Sequence, residues 1–208
     1  MRILLLAAAA GLGLLAAACD RQNDGEQTQR PRGSAIVEPE TRVDVVPQEE
    51  PAVARSQWRA ASDAARRAVG NLRVSLEGTR GGPVTFAFAT GVTVRAQPYN
   101  LVPADSRSGV GGQSFAAVLG GDPRVNVYLY RVLEETCATA RVGTVACTDD
   151  RSNQGGLCGE ERTRYMAASE FVDGSGRWVF KVAAFRGGEA PPSGEDPLLC
   201  SSYAYVAD

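Results

Sequence analysis

TRYMAASEFV-DGSG-RWVFKVAAF, residues 163–185, is the stretch from which the fold can be read. Two β-compatible runs flank Asp173-Gly174-Ser175-Gly176, four residues suited to a tight chain reversal. The pattern predicts a hairpin with strands over Thr163 to Val172 and Arg177 to Phe185. Trp178, Phe180 and Val182 alternate onto one face, which we assign to the core. After a Pro/Gly-rich loop, Leu198 to Val206 reads as a closing strand.

Working towards the amino terminus, further strands appear. Val125 to Tyr130 is β-branched and aromatic, and follows an Asp122-Pro123 turn. Ser114 to Gly120 reads as one or two helical turns, capped by Ser114 and stopped by the glycines. Ser106 to Gly112 reads as a loop. Val84 to Phe88 and Val92 to Val94 flank Thr90-Gly91 as a tight hairpin, and Leu72, Val74 and Leu76 alternate with polar residues. From Ser56, the spacing of Trp58, Ala61, Ala65 and Ala68 or Val69 predicts a helix ended by Gly70-Asn71. We therefore expect an α+β fold: one or two short helices on an antiparallel, barrel-like sheet, forming a single domain over residues 56–208. About 150 ordered residues suffice for one real core.

The first 18 residues have a different character. Arg2 precedes an apolar run from Ile3 to Ala18, 16 residues without a charge. A bilayer span needs roughly 20 such residues, so the run reads as an export signal. It ends Leu15-Ala16-Ala17-Ala18-Cys19, which resembles the lipobox of bacterial envelope lipoproteins, with Ala where Leu is usual. The resemblance implies cleavage before Cys19, lipidation of its sulfur, and a membrane partner engaged through that lipid. Ala16-Ala17-Ala18 also suits ordinary signal peptidase, which would leave Cys19 free. Residues 20 to about 55 are rich in Gln, Glu, Asp, Arg and Pro and read as a disordered tether. Such a segment spans roughly 30–35 Å on average.

Cysteine usage fits an oxidising compartment. Of five cysteines, Cys19 goes to lipid, leaving Cys137, Cys147, Cys158 and Cys200. Three pairings are possible. We expect Cys137–Cys147 across a short hairpin and Cys158–Cys200 between distant segments, contributing about 3 and about 4 kcal/mol through loop closure. A four-thiolate zinc site competes, but there are no paired C-x-x-C knuckles.

Much chemistry is excluded by residues the chain lacks. It has no histidine, so Ser-His-Asp and Cys-His nucleophile systems and imidazole proton shuttles are unavailable to it. No phosphate-binding G-x-x-x-x-G-K-[ST] loop occurs, and Gly109-Val110-Gly111-Gly112 lacks the context of a dinucleotide fingerprint. The precursor's formal charge is −2, which does not favour nucleic-acid binding. No cofactor is implied.

Two enzyme routes remain. Carboxylates among Asp149, Asp150, Glu160, Glu161 and Glu170 could serve a glycan hydrolase, although adjacent acids are ordinary surface residues. A Ser-Lys dyad would have to use Lys181, the chain's single lysine, and no Ser-x-x-Lys motif precedes it. Asp150 to Glu161 also has the spacing of a calcium loop, with Asp150, Ser152, Gln154 and Glu161 as ligands. Ser and Gln at the third and fifth places, and Cys158 inside the loop, favour a polar turn instead.

Leu157-Cys158-Gly159, a central hairpin, and Leu199-Cys200 followed by Tyr203 and Tyr205 resemble short secreted domains of Gram-negative bacteria. There is also a similarity of type to membrane-bound lysozyme inhibitors, which are disulfide-bonded β-barrels on lipid anchors; no site residue carries over. Tyr128, Tyr130, Tyr203 and Tyr205 are the recognition candidates, since Tyr offers contact area with a polar tip. Packing on the sheet is their ordinary role. The expected function is non-enzymatic: a lipid-anchored, periplasm-facing envelope protein that binds a protein or glycan. A structural or assembly accessory is the other non-catalytic reading.

Overall fold

The computed structural model describes residues 55–139, 143–150, 152, 155–192 and 197–207. Along the chain these form β1 (Gln57–Ala60), α1 (Asp63–Ala68), β2 (Leu72–Leu76), β3 (Val84–Phe88), β4 (Thr93–Pro103), α2 (Phe115–Leu119), β5 (Asn126–Ala138), β6 (Thr144–Ala146), β7 (Tyr165–Val172), β8 (Trp178–Phe185) and β9 (Leu199–Val206). The signal segment, Cys19 and the tether to residue 54 lie outside the described residues.

The hairpin forms as its turn dictates. β7 and β8 pair without a slip from Tyr165↔Phe185 to Val172↔Trp178. The Asp173 carboxylate accepts from the backbone N–H groups of Ser175 (2.9 Å) and Arg177 (3.1 Å) and from the Ser175 hydroxyl (2.6 Å). Gly176 supplies the positive φ, 79°, that the reversal needs. Phe180, Val182 and Ala184 point to one apolar cluster, and Ala183 and Phe185 to another. Burial on both faces explains why this strand reads as an almost unbroken apolar run. Trp178 departs from the core assignment made above. As the first residue of β8, it projects at the end of the sheet, 37% exposed, with the Arg55 guanidinium 5.1 Å from its ring centroid.

Every pairing is antiparallel, and the strand order β4-β3-β2-β1-β9-β8-β7-β5 returns to its start because β5 also pairs with β4. Eight strands thus close a barrel, and β6 lies outside the ring, paired to the end of β5. The α+β expectation is corrected to a mostly-β barrel. The helices have six and five residues, too short to form a layer of their own. α2 and its Ser114 and Gly120 caps appear as expected. The helix expected from Ser56 splits instead. β1's alternation sends Trp58 and Ala60 inward, and helix begins only after Ser62, whose hydroxyl accepts from Ala65 N–H. β1 is needed for closure, joining β2 at Gln57 and Trp58 and β9 at Arg59 and Ala60.

The interior is filled by side chains, among them Trp58, Phe86, Tyr130, Met166, Phe180 and Tyr205. Trp58 stacks on Phe180 with centroids 5.1 Å apart, and Phe86 meets Tyr130 edge-on at 5.4 Å. Ala65 and Val69 of the α1 region and Leu157 of the long loop after β6 join this cluster. A second cluster lies on the outer face, where Phe115, Val118 and Leu119 of α2 cover Val127, Leu129, Ala167, Ala183 and Phe185.

Two irregularities tune the wall. Tyr99 is the extra residue between Pro98↔Tyr130 and Asn100↔Leu129, and Leu133 is extra between Ala96↔Val132 and Arg95↔Glu134. A bulge shifts the in–out alternation by one residue. Beyond Leu133, Glu135 and Cys137 are therefore buried, on the side of Val132.

Candidate functional site

The disulfides join Cys137 to Cys147 and Cys158 to Cys200, with sequence separations of 10 and 42. The first ties the end of β5 to the segment after β6. The second ties the long loop to β9.

The four recognition tyrosines do not assemble on the surface. Tyr130, Tyr203 and Tyr205 are buried in the interior cluster, and Tyr128 is partly buried against it. Burial raises the Tyr205 phenol far above its ordinary pKa, and its hydroxyl has no hydrogen-bond partner among the described residues. Of the calcium-loop candidates, Asp150 is exposed, Ser152 is partly buried and bridges Thr139, and Gln154 lies outside the described residues. Glu161 pairs with Arg186, and Cys158 is committed to its disulfide. Among the described residues no group of three or more Cys, Asp or Glu side chains could hold a metal ion. Of the remaining acids, Glu160 is exposed, Asp149 is partly buried, and Glu170 is partly buried opposite Phe180.

Sequence reasoning missed Glu135. Its carboxylate accepts from Leu157 N–H (2.7 Å), Thr163 N–H (3.2 Å) and the Thr163 hydroxyl (2.9 Å), all from the long loop. Gly156 passes so close that a Cβ there would collide with the carboxylate. Buried and triply hydrogen-bonded, Glu135 latches the loop that carries Cys158. The only sequence hint is a second Glu after Glu134, one place past a strict alternation.

Ser169 and Lys181 were not joined by sequence reasoning either, yet the register places them directly opposite across β7 and β8. Both face outward, beside the end of α2. Lys181 Nζ lies 4.0 Å from where a Cβ on Gly120 would stand, and Ser169 Oγ lies 3.8 Å from the equivalent point on Gly121. Ser169 is 1% exposed, and its hydroxyl lacks a partner among the described residues. Burial holds the Lys181 amine below the ordinary lysine range. The turn made this pairing legible: once Val172 opposes Trp178, Ser169 must oppose Lys181.

A shallow groove of about 420 Å³ lies on the wall formed by β1, β2 and β3. Gln57, Arg59, Asn71 and Arg73 line it with Ala87 and Ala89. Asn71 helps close the wall by accepting from Ala60 N–H at 3.0 Å. A second hollow, about 520 Å³, borders the Cys158–Cys200 bridge, Arg186 and Leu199. No protein-family model, curated protein or solved structure matches the chain.

Proposed function

We propose that this chain is an exported lipoprotein, anchored through Cys19, whose barrel binds an envelope protein or glycan without catalysing a reaction. The observation that carries the proposal is the cysteine pairing. All four cysteines of the barrel are consumed in two bridges, so Cys19, at the end of the signal-like run, is the odd one out. Paired structural cystines belong to oxidising compartments, and a lone cysteine at a lipobox-like junction is the chemistry of an acyl anchor. The lipid holds the domain at a membrane facing the periplasm.

The groove on β1, β2 and β3 supplies the binding surface. Arginine and amide side chains on a shallow wall offer several N–H donors at once, suited to the hydroxyls or carboxylates of a glycan or an acidic protein segment. Mass spectrometry of the amino terminus of membrane-derived protein tests the anchor. A diacylglyceryl-modified Cys19 is expected, and an unmodified start at Cys19, or an intact signal, overturns it. Cross-linking in intact cells tests the surface. One stoichiometric partner, lost in an Arg59→Glu/Arg73→Glu variant of unchanged thermal stability, is expected. Retention of that partner removes the groove from the proposal.

A further inference from the structure

We propose that the Ser169–Lys181 notch is a binding site for a small carboxylate, separate from the arginine-lined groove. Two donors sit on facing residues there, each beside one of the two glycines that end α2. Lys181 carries three ammonium N–H groups, and no described residue forms an ion pair or hydrogen bond with them. Ser169, directly opposite, has a hydroxyl buried to 1% exposure and without a partner among the described residues. A buried hydroxyl left unbonded is costly, and the cost is recovered when an acceptor oxygen reaches it.

Small residues surround the pair. Gly120 and Gly121 pass over the two side chains with no Cβ to fill the space, and the residue beside Lys181 on β9 is Ala204. Gly120 is exposed and Lys181 only partly buried, so solvent reaches the amine. Since both groups can donate, the guest must accept, and its negative charge matches the ammonium. A carboxylate meets these terms, with one oxygen on Lys181 Nζ and the other on Ser169 Oγ. Phe171, whose ring lies 3.5 Å from the Cβ position of Gly121, gives the carbon skeleton an apolar wall.

Because Lys181 is the only lysine, the full chain labelled with ¹³C,¹⁵N-lysine reports from this one side chain. The probe is N-acetylglycine, with uncharged N-acetylglycine amide and sodium chloride as controls. The expected result is a saturable shift of the Lys181 ε-methylene signal with N-acetylglycine alone. Ser169→Ala should weaken it about tenfold, the loss of one charge-assisted hydrogen bond. In a second, uniformly ¹⁵N-labelled pair of samples, the Gly120 and Gly121 amide signals should shift with the probe in the parent and not in Lys181→Met. A linear shift shared with chloride, meaning an adventitious ion only, overturns the site. So does an equal response to the amide, or a Ser169→Ala affinity unchanged from the parent. The lipid anchor bears on none of these outcomes.

Discussion

Asp173 and Glu135 each gather three or more hydrogen bonds on one carboxylate, but they serve different scales of the structure. Asp173 folds back on donors two and four residues ahead in an exposed turn. Glu135 is buried and holds donors 22 and 28 residues away. The first sets the register of a hairpin and so fixes which residues meet across β7 and β8. The second pins a long loop against the barrel wall, next to the disulfide that joins that loop to β9. Local carboxylate caps set pairing; distant ones set closure. The two should fail differently.

The largest effect is expected from the distant constraint. Replacing Cys158 and Cys200 together by Ser should cost about 4 kcal/mol, from the loop that the bridge closes. Glu135→Ala should cost about 3 kcal/mol, because two backbone N–H groups and the Thr163 hydroxyl lose their acceptor in a buried place. Glu135→Gln, which keeps one acceptor oxygen, should cost less. Both changes release the same loop, so the triple variant should lose less than the sum. Urea unfolding of the four proteins measures the coupling. Strict additivity would show that the latch and the bridge secure different segments.

What was legible in the sequence follows the same division. The β7–β8 hairpin, α2 with its caps, the Thr90-Gly91 turn and the closing strand β9 all rest on neighbours a few residues apart. β1 was misread because Trp58, Ala61 and Ala65 satisfy a helical spacing, whereas Trp58 is drawn into a barrel whose other walls lie far along the chain. Bulges hid the rest. The extra residue Leu133 puts Glu135 on the buried side, where strict alternation from Tyr130 and Val132 would expose it. The tyrosines misled for a related reason. In a barrel this narrow, the inward face needs large side chains to fill it, and Tyr130, Tyr203 and Tyr205 do so.

The local carboxylate makes a smaller, pH-dependent prediction. Hydrogen bonds from Ser175 and the Arg177 backbone hold Asp173 at about 2, against an ordinary 3.8. A carboxyl whose folded pKa is depressed stabilises the fold above its unfolded pKa, and that contribution is lost as pH falls from 3.8 towards about 2. Asp173→Asn should therefore flatten the melting temperature against pH in that window. It should leave the Glu135 and disulfide variants' deficits unchanged at neutral pH. If instead it disturbs the Ser169–Lys181 register, seen as altered cross-strand contacts by NMR, the turn carries more of the sheet than its local bonds imply.

The smallest expected effect has the opposite sign. Burial lowers the Lys181 pKa, so the folded state carries a desolvation cost while the amine is protonated. With the folded pKa below the unfolded one, that cost is present at neutral pH and fades as pH rises through the folded value towards 10.5. Lys181→Met keeps the aliphatic stem and removes the charge, so it should raise the melting temperature slightly at pH 7, with the gain shrinking in alkali. A carboxylate guest would supply a counter-charge and reduce the cost in the parent. Saturating N-acetylglycine should therefore narrow the gap between parent and variant at pH 7 and leave it unchanged once the amine is neutral. A gap indifferent to the probe would leave the lysine's burial intact and remove the carboxylate from it.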